Sequence, residues 1–230
     1  RADIALLFIG NNREVETENS DRKNLNLPFG QDALIKAVCA ANPNTIVVVV
    51  AGAPVNMHVA DSCASTILWS WFNGSQAGYA LADVLLGKIN PSGKLPFTIP
   101  VKLNDSPAHA LGTFPGNEKA VYSEGILVGY RWFDTKNIAP AYCFGYGLSY
   151  TDFSYGEPNI NKPVYTRKDT AIITFNLSNT GEYDGYETVQ LYVKEMNPKI
   201  TRPAKELKAF KKMFVTACND TTVTLELPVA

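Results

Sequence analysis

Two periodicities of apolar residues divide this chain. In its first half, continuous apolar runs alternate with stretches whose apolar positions recur every three or four residues. Residues 3–9 read as a buried strand. Thr45-Ile46-Val47-Val48-Val49-Val50 is apolar and largely β-branched, as expected of a parallel strand covered on both faces. Between these two runs, residues 29–41 predict a helix with Leu34, Ile35, Val38 and Ala41 along one face, closed at Asn42-Pro43. A short helix over 57–63, a strand over 66–69 and a helix over 76–86, stopped by Gly87, continue the alternation. Strand–helix alternation of this kind predicts an α/β domain, an αβα sandwich around an open and mostly parallel sheet.

From about residue 155 the period becomes two. Ala171, Ile173, Phe175 and Leu177 alternate with polar or outward positions up to the turn Asn179-Thr180-Gly181, and Val189, Leu191, Val193 and then Val223, Leu225, Leu227 repeat the pattern. Period-two segments separated by turn residues predict an all-β sandwich. Such a sandwich takes about 100 residues; fewer remain here, so it is expected to be incomplete. Residues 122–150 are rich in glycine and aromatics, with Tyr130-Arg131-Trp132-Phe133 together, and are expected to serve as packing between domains. The resulting division is an α/β domain over 1–121, a connector over 122–154 and a β domain over 155–230.

Composition narrows the function classes. A net charge of −1 offers no electrostatic reason for a nucleic-acid or anionic-membrane partner. The longest apolar run, residues 45–53, falls far short of the roughly 20 residues that cross a bilayer. Cys39, Cys63, Cys143 and Cys218 are scattered, and neither His58 nor His109 lies at ligand spacing from a cysteine, so no metal site is expected. Cys39 falls on the apolar face of the first helix and is expected to be a buried thiol. One disulfide would suit an exported protein, but the spacing does not pair it. The chain starts Arg1-Ala2-Asp3 without an initiator Met and stops as a strand finishes, so both ends are expected to be cuts from a longer polypeptide.

Candidate chemistry lies where the strands end. In an open parallel sheet ligands bind beyond the carboxyl ends of the strands, and the connection over 10–28 is long for a strand-to-helix loop. It carries Glu14, Glu16, Glu18, Asp21 and Arg22. Glycosidic hydrolysis needs one carboxylic acid to protonate the leaving oxygen and a second carboxylate to attack or to activate water. A solvated acidic loop is the alternative. The third strand runs into Ser70-Trp71-Phe72-Asn73-Gly74, which brings Trp71 and Phe72 to the same edge, and flat aromatic rings suit the apolar face of a pyranose. Trp69 belongs to the strand interior. Gly145-Tyr146-Gly147 lacks the third glycine and the following helix of a dinucleotide loop.

These segments resemble glycoside hydrolase family 3. Glu16-Thr17-Glu18-Asn19-Ser20-Asp21-Arg22 with Leu25-Asn26-Leu27-Pro28 and Gln31-Asp32-Ala33-Leu34-Ile35 is similar to the family's E-T-E-G-x-D-R-x-x-L-x-L-P…Q-x-x-L-I. Ala82-Asp83-Val84-Leu85-Leu86-Gly87 with Asn90-Pro91-Ser92-Gly93-Lys94-Leu95-Pro96 resembles A-D-V-L-F-G…N-P-S-G-[RK]-L-P. Residues 122–131 resemble Y-x-E-G-I-x-V-G-Y-R, and Phe144-Gly145-Tyr146-Gly147-Leu148-Ser149-Tyr150-Thr151 resembles F-G-x-G-L-S-Y-T. With Arg202-Pro203-Ala204-Lys205-Glu206-Leu207 added, the motifs span essentially the whole chain.

The resemblance implies a barrel domain, an αβα sandwich and a fibronectin type III-like domain, of which this chain holds the second and most of the third. It implies a retaining exo-β-glycosidase, a β-glucosidase in the first place, with β-xylosidase or exo-β-glucanase as alternatives and a non-catalytic carbohydrate-binding or assembly module as the reading for the chain alone. The nucleophilic Asp is expected on the barrel, outside this chain. Glu18 maps to the acid/base, with Glu16 and Glu14 as alternatives; Trp71 and Phe72 are candidates for substrate contact, and Asp21 and Arg22 for a loop-holding ion pair. Asn19 stands where the family has Gly, and tolerates positive φ less freely. The expected partners are a β-linked oligosaccharide or aryl glucoside and the barrel domain or a companion chain, with a homodimer allowed and no cofactor, nucleic acid or membrane. Secretion or periplasmic residence is a family-level expectation.

Overall fold

The computed structural model describes residues 2–18, 20–116 and 118–229; Arg1, Asn19, Asn117 and Ala230, with the expectations attached to them, lie outside the described residues. The chain forms two compact units, Arg1–Leu81 with Phe97–Cys143, and Ala82–Pro96 with Phe144–Ala230.

The first unit is built on three parallel strands, β1 (Ala5–Gly10), β2 (Thr45–Val50) and β3 (Thr66–Trp69), paired in the order β1-β2-β3. Helices α1 (Gln31–Ala41) and α2 (His58–Cys63) link them, and α3 (Ala77–Leu85) follows. The apolar run of β2 is central for the reason its sequence predicts: Val47, Val48 and Val49 are fully buried. On α1 the inward face centres on Ile35 and Cys39, one turn apart, whereas Leu34 is half exposed, so the stripe lies slightly round the helix from its sequence-predicted position. After α4 (Pro107–Ala110), α5 (Tyr130–Lys136) buries Trp132 and Phe133 against Leu127. The Trp132 indole donates to the Asp105 carbonyl, 3.0 Å. The aromatic run over 130–133 is therefore a helix of the first unit, with Trp132 and Phe133 packed on Leu127 and Ile138.

The second unit contains β4 (Phe153–Tyr155), β5 (Asn159–Ile160), β6 (Thr170–Asn179), β7 (Gly185–Val193), β8 (Glu206–Val215) and β9 (Asp220–Pro228). β6 pairs antiparallel with β4, β5 and β9, and β7 pairs antiparallel with β8, with a register shift at Leu191/Tyr192. Alternation does the sorting: Ala171, Ile173, Leu177, Val189, Val215, Val223 and Leu225 form its core. Asn179, 1% exposed, is its polar pin, accepting from the Thr151 hydroxyl at 2.6 Å and donating to the carbonyls of Tyr183 and Val215.

Along the chain, residues 82–96 group with residues 144–230 in the second unit. The physical reason is a set of long-range bonds that tie residues 90–95 to 145–150. Asn90 Oδ1 accepts from the Ser149 hydroxyl and the Tyr150 amide at 2.8 Å each, and the Leu95 and Gly145 amides bond across to Tyr146 and Leu95 carbonyls. Lys94 and Glu187 form a largely buried ion pair at 3.1 Å; Lys94 also donates to the Gly147 carbonyl and the Tyr155 hydroxyl donates to Glu187. Burial, together with that carboxylate, pushes the Tyr155 phenol well above its ordinary range.

Candidate active site

Three loops leave the carboxyl ends of β1, β2 and β3. The first begins at Gly10, whose φ of 144° and position forbid a side chain, since a Cβ would fall 1.9 Å from the Val50 carbonyl oxygen. Gln31, at the start of α1, donates to the Gly10 carbonyl and accepts from its amide, 2.8 and 2.7 Å. The Asn11 amide then bonds to the Val50 carbonyl at 3.0 Å. This clamp closes the strand end and fixes where the acidic loop starts.

The loop is pinned at four further points. Leu25 and Leu27 are buried, the Asn56 amide donates to the Leu25 carbonyl at 2.7 Å, and Arg22 Nη2 donates to the Pro54 carbonyl at 2.7 Å. The hydrogen-bond partner of Arg22 is thus a backbone carbonyl; an Asp21–Arg22 ion pair is not found among the described residues, and Asp21 is exposed. A backbone carbonyl reached across the sheet edge fixes the guanidinium in place, which the adjacent carboxylate, one residue away, does not.

The three candidate carboxylates differ in what holds them. Glu14 is exposed, with its amide bonded to Asn12 Oδ1. Glu16 is half-buried and accepts from Asn11 Nδ2 at 2.8 Å. Its other oxygen lies against Gly52, where an added Cβ would meet Glu16 Oε1 at 2.7 Å and the Phe72 ring at 3.1 Å. Glu18 stands in the turn spanned by the Thr17–Ser20 bridge, exposed. Glu16 is therefore built into the loop, and Glu18 is presented from it.

The aromatic candidates separate in the same way. Trp71, in the left-handed region at φ 59°, turns its ring back onto Trp69 and Phe97, with centroids 5.8 and 5.1 Å away. The Trp69 indole donates to the Ala51 carbonyl at 3.0 Å. Phe72 is 53% exposed and brings Cδ2 and Cε2 of its ring to Gly52, next to Glu16. Two buried polar atoms here have no hydrogen-bond partner among the described residues, Asn11 Oδ1 and Arg22 Nη1. Such orphans are rare in proteins, and ordered water commonly completes them.

Asn11, Gly52 and Gln31 escape a reading by residue chemistry. Their signals are local: an amide directly after an apolar strand, a glycine directly after another, and a glutamine opening a helix. Among the described residues no group of three or more His, Cys, Asp and Glu side chains is placed to hold a metal ion.

Comparison with known proteins now identifies the scaffold. Residues 1–130 match the glycosyl hydrolase family 3 C-terminal domain. The chain belongs to glycosyl hydrolase family 3. Residues 187–230 match a fibronectin type III-like domain, in keeping with the antiparallel second unit. Thermostable beta-glucosidase B of Acetivibrio thermocellus is 42% identical over 227 residues, covering 98% of this chain and 30% of the relative. An exo-alpha-(1->6)-L-arabinopyranosidase of Bifidobacterium longum is 41% identical over 227 residues, covering 98% of this chain and 29% of the relative. The crystal structure of a Bifidobacterium adolescentis family 3 beta-glucosidase superimposes with a TM-score of 0.92 at 41% identity, covering 99% of this chain and 33% of that one. The family 3 chain thus spans about 30% of the length of the relatives it matches.

Proposed function

We propose that this family 3 chain supplies the general acid/base of a retaining exo-β-glycosidase, with Glu18 as the proton-transfer group and an Asp nucleophile on a barrel domain beyond the chain. The observation that carries the choice is the contrast between the two neighbouring carboxylates. Glu16 is engaged by Asn11 and packed against Gly52 and Phe72, while Glu18 is exposed on a loop anchored at both ends. A group that gives a proton to a leaving oxygen and takes one from water has to reach the substrate with its carboxyl free.

In the first step Glu18 protonates the glycosidic oxygen as the nucleophile attacks the anomeric carbon and forms a glycosyl-enzyme. In the second it removes a proton from the water that releases the sugar, so the configuration is retained. Phe72, half exposed beside the loop, is the ring placed against the sugar. The sugar we favour is a terminal, non-reducing β-D-glucosyl residue, on the strength of the beta-glucosidase relatives. The arabinopyranosidase relative favours a second reading, in which the same loop serves a different pyranose, because the barrel supplies most of the contacts to the reacting sugar.

The test uses the full-length protein that carries this chain. With Glu18→Gln, hydrolysis of cellobiose should fall about 10³-fold, within the range removed with a general acid, while glycosylation by an aryl glucoside with an activated leaving group survives. Unchanged cellobiose hydrolysis would remove Glu18 from the mechanism. The 230-residue chain alone should be inactive on both substrates, since one carboxylate cannot run a two-step displacement; turnover by it would overturn the division of labour.

A further inference from the structure

The β7–β8 sheet of the second unit has two unlike faces. Its register sets Gly185 opposite Val215 and Glu187 opposite Met213 on the inner face, and Tyr186 opposite Phe214, Thr188 opposite Lys212 and Gln190 opposite Phe210 on the outer one. The β7 half of the outer face is tied down within the unit: the Thr188 hydroxyl donates to the Ser92 carbonyl at 3.2 Å, and the Gln190 amide to the Gly145 carbonyl at 3.1 Å. The β8 half lies open. Phe210 is 70% exposed, Phe214 48% and Tyr186 44%, and Lys212 stands exposed between the two phenylalanines. The Tyr186 and Phe214 rings are 5.0 Å apart, and the Lys212 ammonium is held 4.8 Å from the Tyr186 centroid. Ring, cation and ring thus follow one another along about 13 Å of strand. The surrounding charge has one sign. Residues 194–212 carry seven lysines and arginines against two glutamates, in a chain whose net charge is −1. Both glutamates already meet cations, Glu195 with Arg202 at 3.3 Å and Glu206 with Lys208 at 3.5 Å, so the segment does not cancel its own positive surplus. Exposed apolar side chains scattered singly are ordinary, whereas a contiguous patch rimmed by charge marks an interaction site.

We infer that the outer face of β8 is a binding site for an anionic polysaccharide, a glycan chain that bears uronate carboxylates, whether or not Glu18 is the acid/base. The apolar faces of two pyranose rings pack on Phe210 and Phe214, flat side chains that lose little freedom on binding. The Lys212 ammonium between them takes a carboxylate, and the basic segment around it favours an anionic chain over a neutral one. The other polyanions fit less well. An acidic peptide supplies charge but no flat apolar rings at every repeat. Single-stranded nucleic acid does stack on aromatics, but its backbone carries a charge about every 3.4 Å, against one ammonium for two rings on this strip. Sparse exposed charges attract weakly in water and are screened by salt, so the binding is modest and ionic-strength dependent.

The experiment runs the full-length protein that carries this chain in native gels cast with polygalacturonate, with a neutral β-glucan, or with no polymer. Polygalacturonate should retard it at low salt, the neutral glucan much less, and the retardation should fade as ionic strength approaches about 0.5 M. Phe210→Ala combined with Phe214→Ala should weaken binding about tenfold. Lys212→Gln should weaken it about threefold and flatten its dependence on salt. Melting temperature and cellobiose hydrolysis should stay at the parent's values, since exposed surface substitutions cost little stability. Should the double alanine variant fail to fold, Phe210→Tyr with Phe214→Tyr keeps both rings and should bind as the parent does, while Lys212→Gln still reports the loss. Three results would overturn the inference: no retardation of the parent at low salt, retardation that survives loss of both rings, or equal retardation by the neutral glucan. Tighter binding of a single-stranded oligonucleotide, read by fluorescence anisotropy, would reassign the strip to nucleic acid and overturn it as well.

Discussion

The loop over residues 11–28 and the second unit's buried network treat polar groups in opposite ways. Around Asn90, Lys94, Glu187 and Asn179 the buried donors and acceptors are matched: Asn90 Oδ1 takes two donors, Glu187 takes an ammonium and a phenol, and Asn179 makes four side-chain bonds. Around the acidic loop the matching stops short. Asn11 Oδ1 and Arg22 Nη1 are buried without partners, Trp71 is held at positive φ, and Phe72 and Glu18 are exposed. A region selected only for stability fills its hydrogen bonds, whereas strain and orphaned polar atoms gather where something else is to be bound. The first pattern holds a domain together, and the second is the ground on which the proposed site rests.

The contrast can be broken or sharpened by substitution. The largest effect is expected at the loop's carboxylates in the full-length protein. Glu18→Gln should lose about 4 kcal/mol of transition-state stabilisation on cellobiose, the equivalent of about 10³ in rate, without moving the melting temperature. Glu16→Gln should do less to the chemistry and more to the fold. Equal kinetic losses in the two variants would erase the distinction between a presented and a built-in carboxylate. Next comes Lys94→Met, which leaves Glu187 buried and uncompensated and should destabilise the second unit by about 3 kcal/mol in urea unfolding. Replacing both partners by apolar residues should recover most of that, and a single variant as stable as the parent would show the network to be ornamental.

A smaller effect is expected for Gly52→Ala, because the methyl group meets both Glu16 and the Phe72 ring. About a tenfold loss in kcat/KM, carried mainly by KM, should follow from the displaced ring, equivalent to about 1.4 kcal/mol. A wild-type KM would place Phe72 outside the substrate's path. The smallest effect should come from Asp169, partly exposed in the second unit. The Lys162 ammonium at 2.7 Å, with the amide and hydroxyl of Thr166, holds its carboxyl down at about 2. A depressed folded pKa stabilises above the unfolded value near 4 and is lost as pH falls toward 2. Asp169→Asn should therefore flatten the acid limb of the melting-temperature profile between pH 4 and 2 and leave the profile above pH 5 parallel to the parent's. A profile that still bends in that window would assign the titration to another group.

Much of the fold was legible from spacing alone. The run over 45–50 and the segment over 66–69 are strands at the expected residues, and the alternation at 171–177 and 223–227 picks out the core positions of β6 and β9. Period is a local property, and burial on one face or both is written directly into it. Elements without a clean period escaped. In β8, Leu207, Ala209 and Phe210 break the alternation near the point where the β7–β8 register shifts, and α5 is seven residues between left-handed Gly129 and Asn137. The acidic loop, the aromatic strand end and the family motifs were likewise legible as residue types in order.

What the tertiary structure alone decided is who meets whom. Glu14, Glu16 and Glu18 are equivalent in spacing, and only the fold brings the Asn11 amide and Gly52 to Glu16 while Glu18 stays exposed. Arg22 finds the Pro54 carbonyl and not Asp21, and residues 82–96 join a unit that resumes at residue 144. Each is a contact across tens of residues of chain, set by how strands and helices pack. Periodicity carries the orientation of a side chain about its own element, but it holds no information on the distance between two elements.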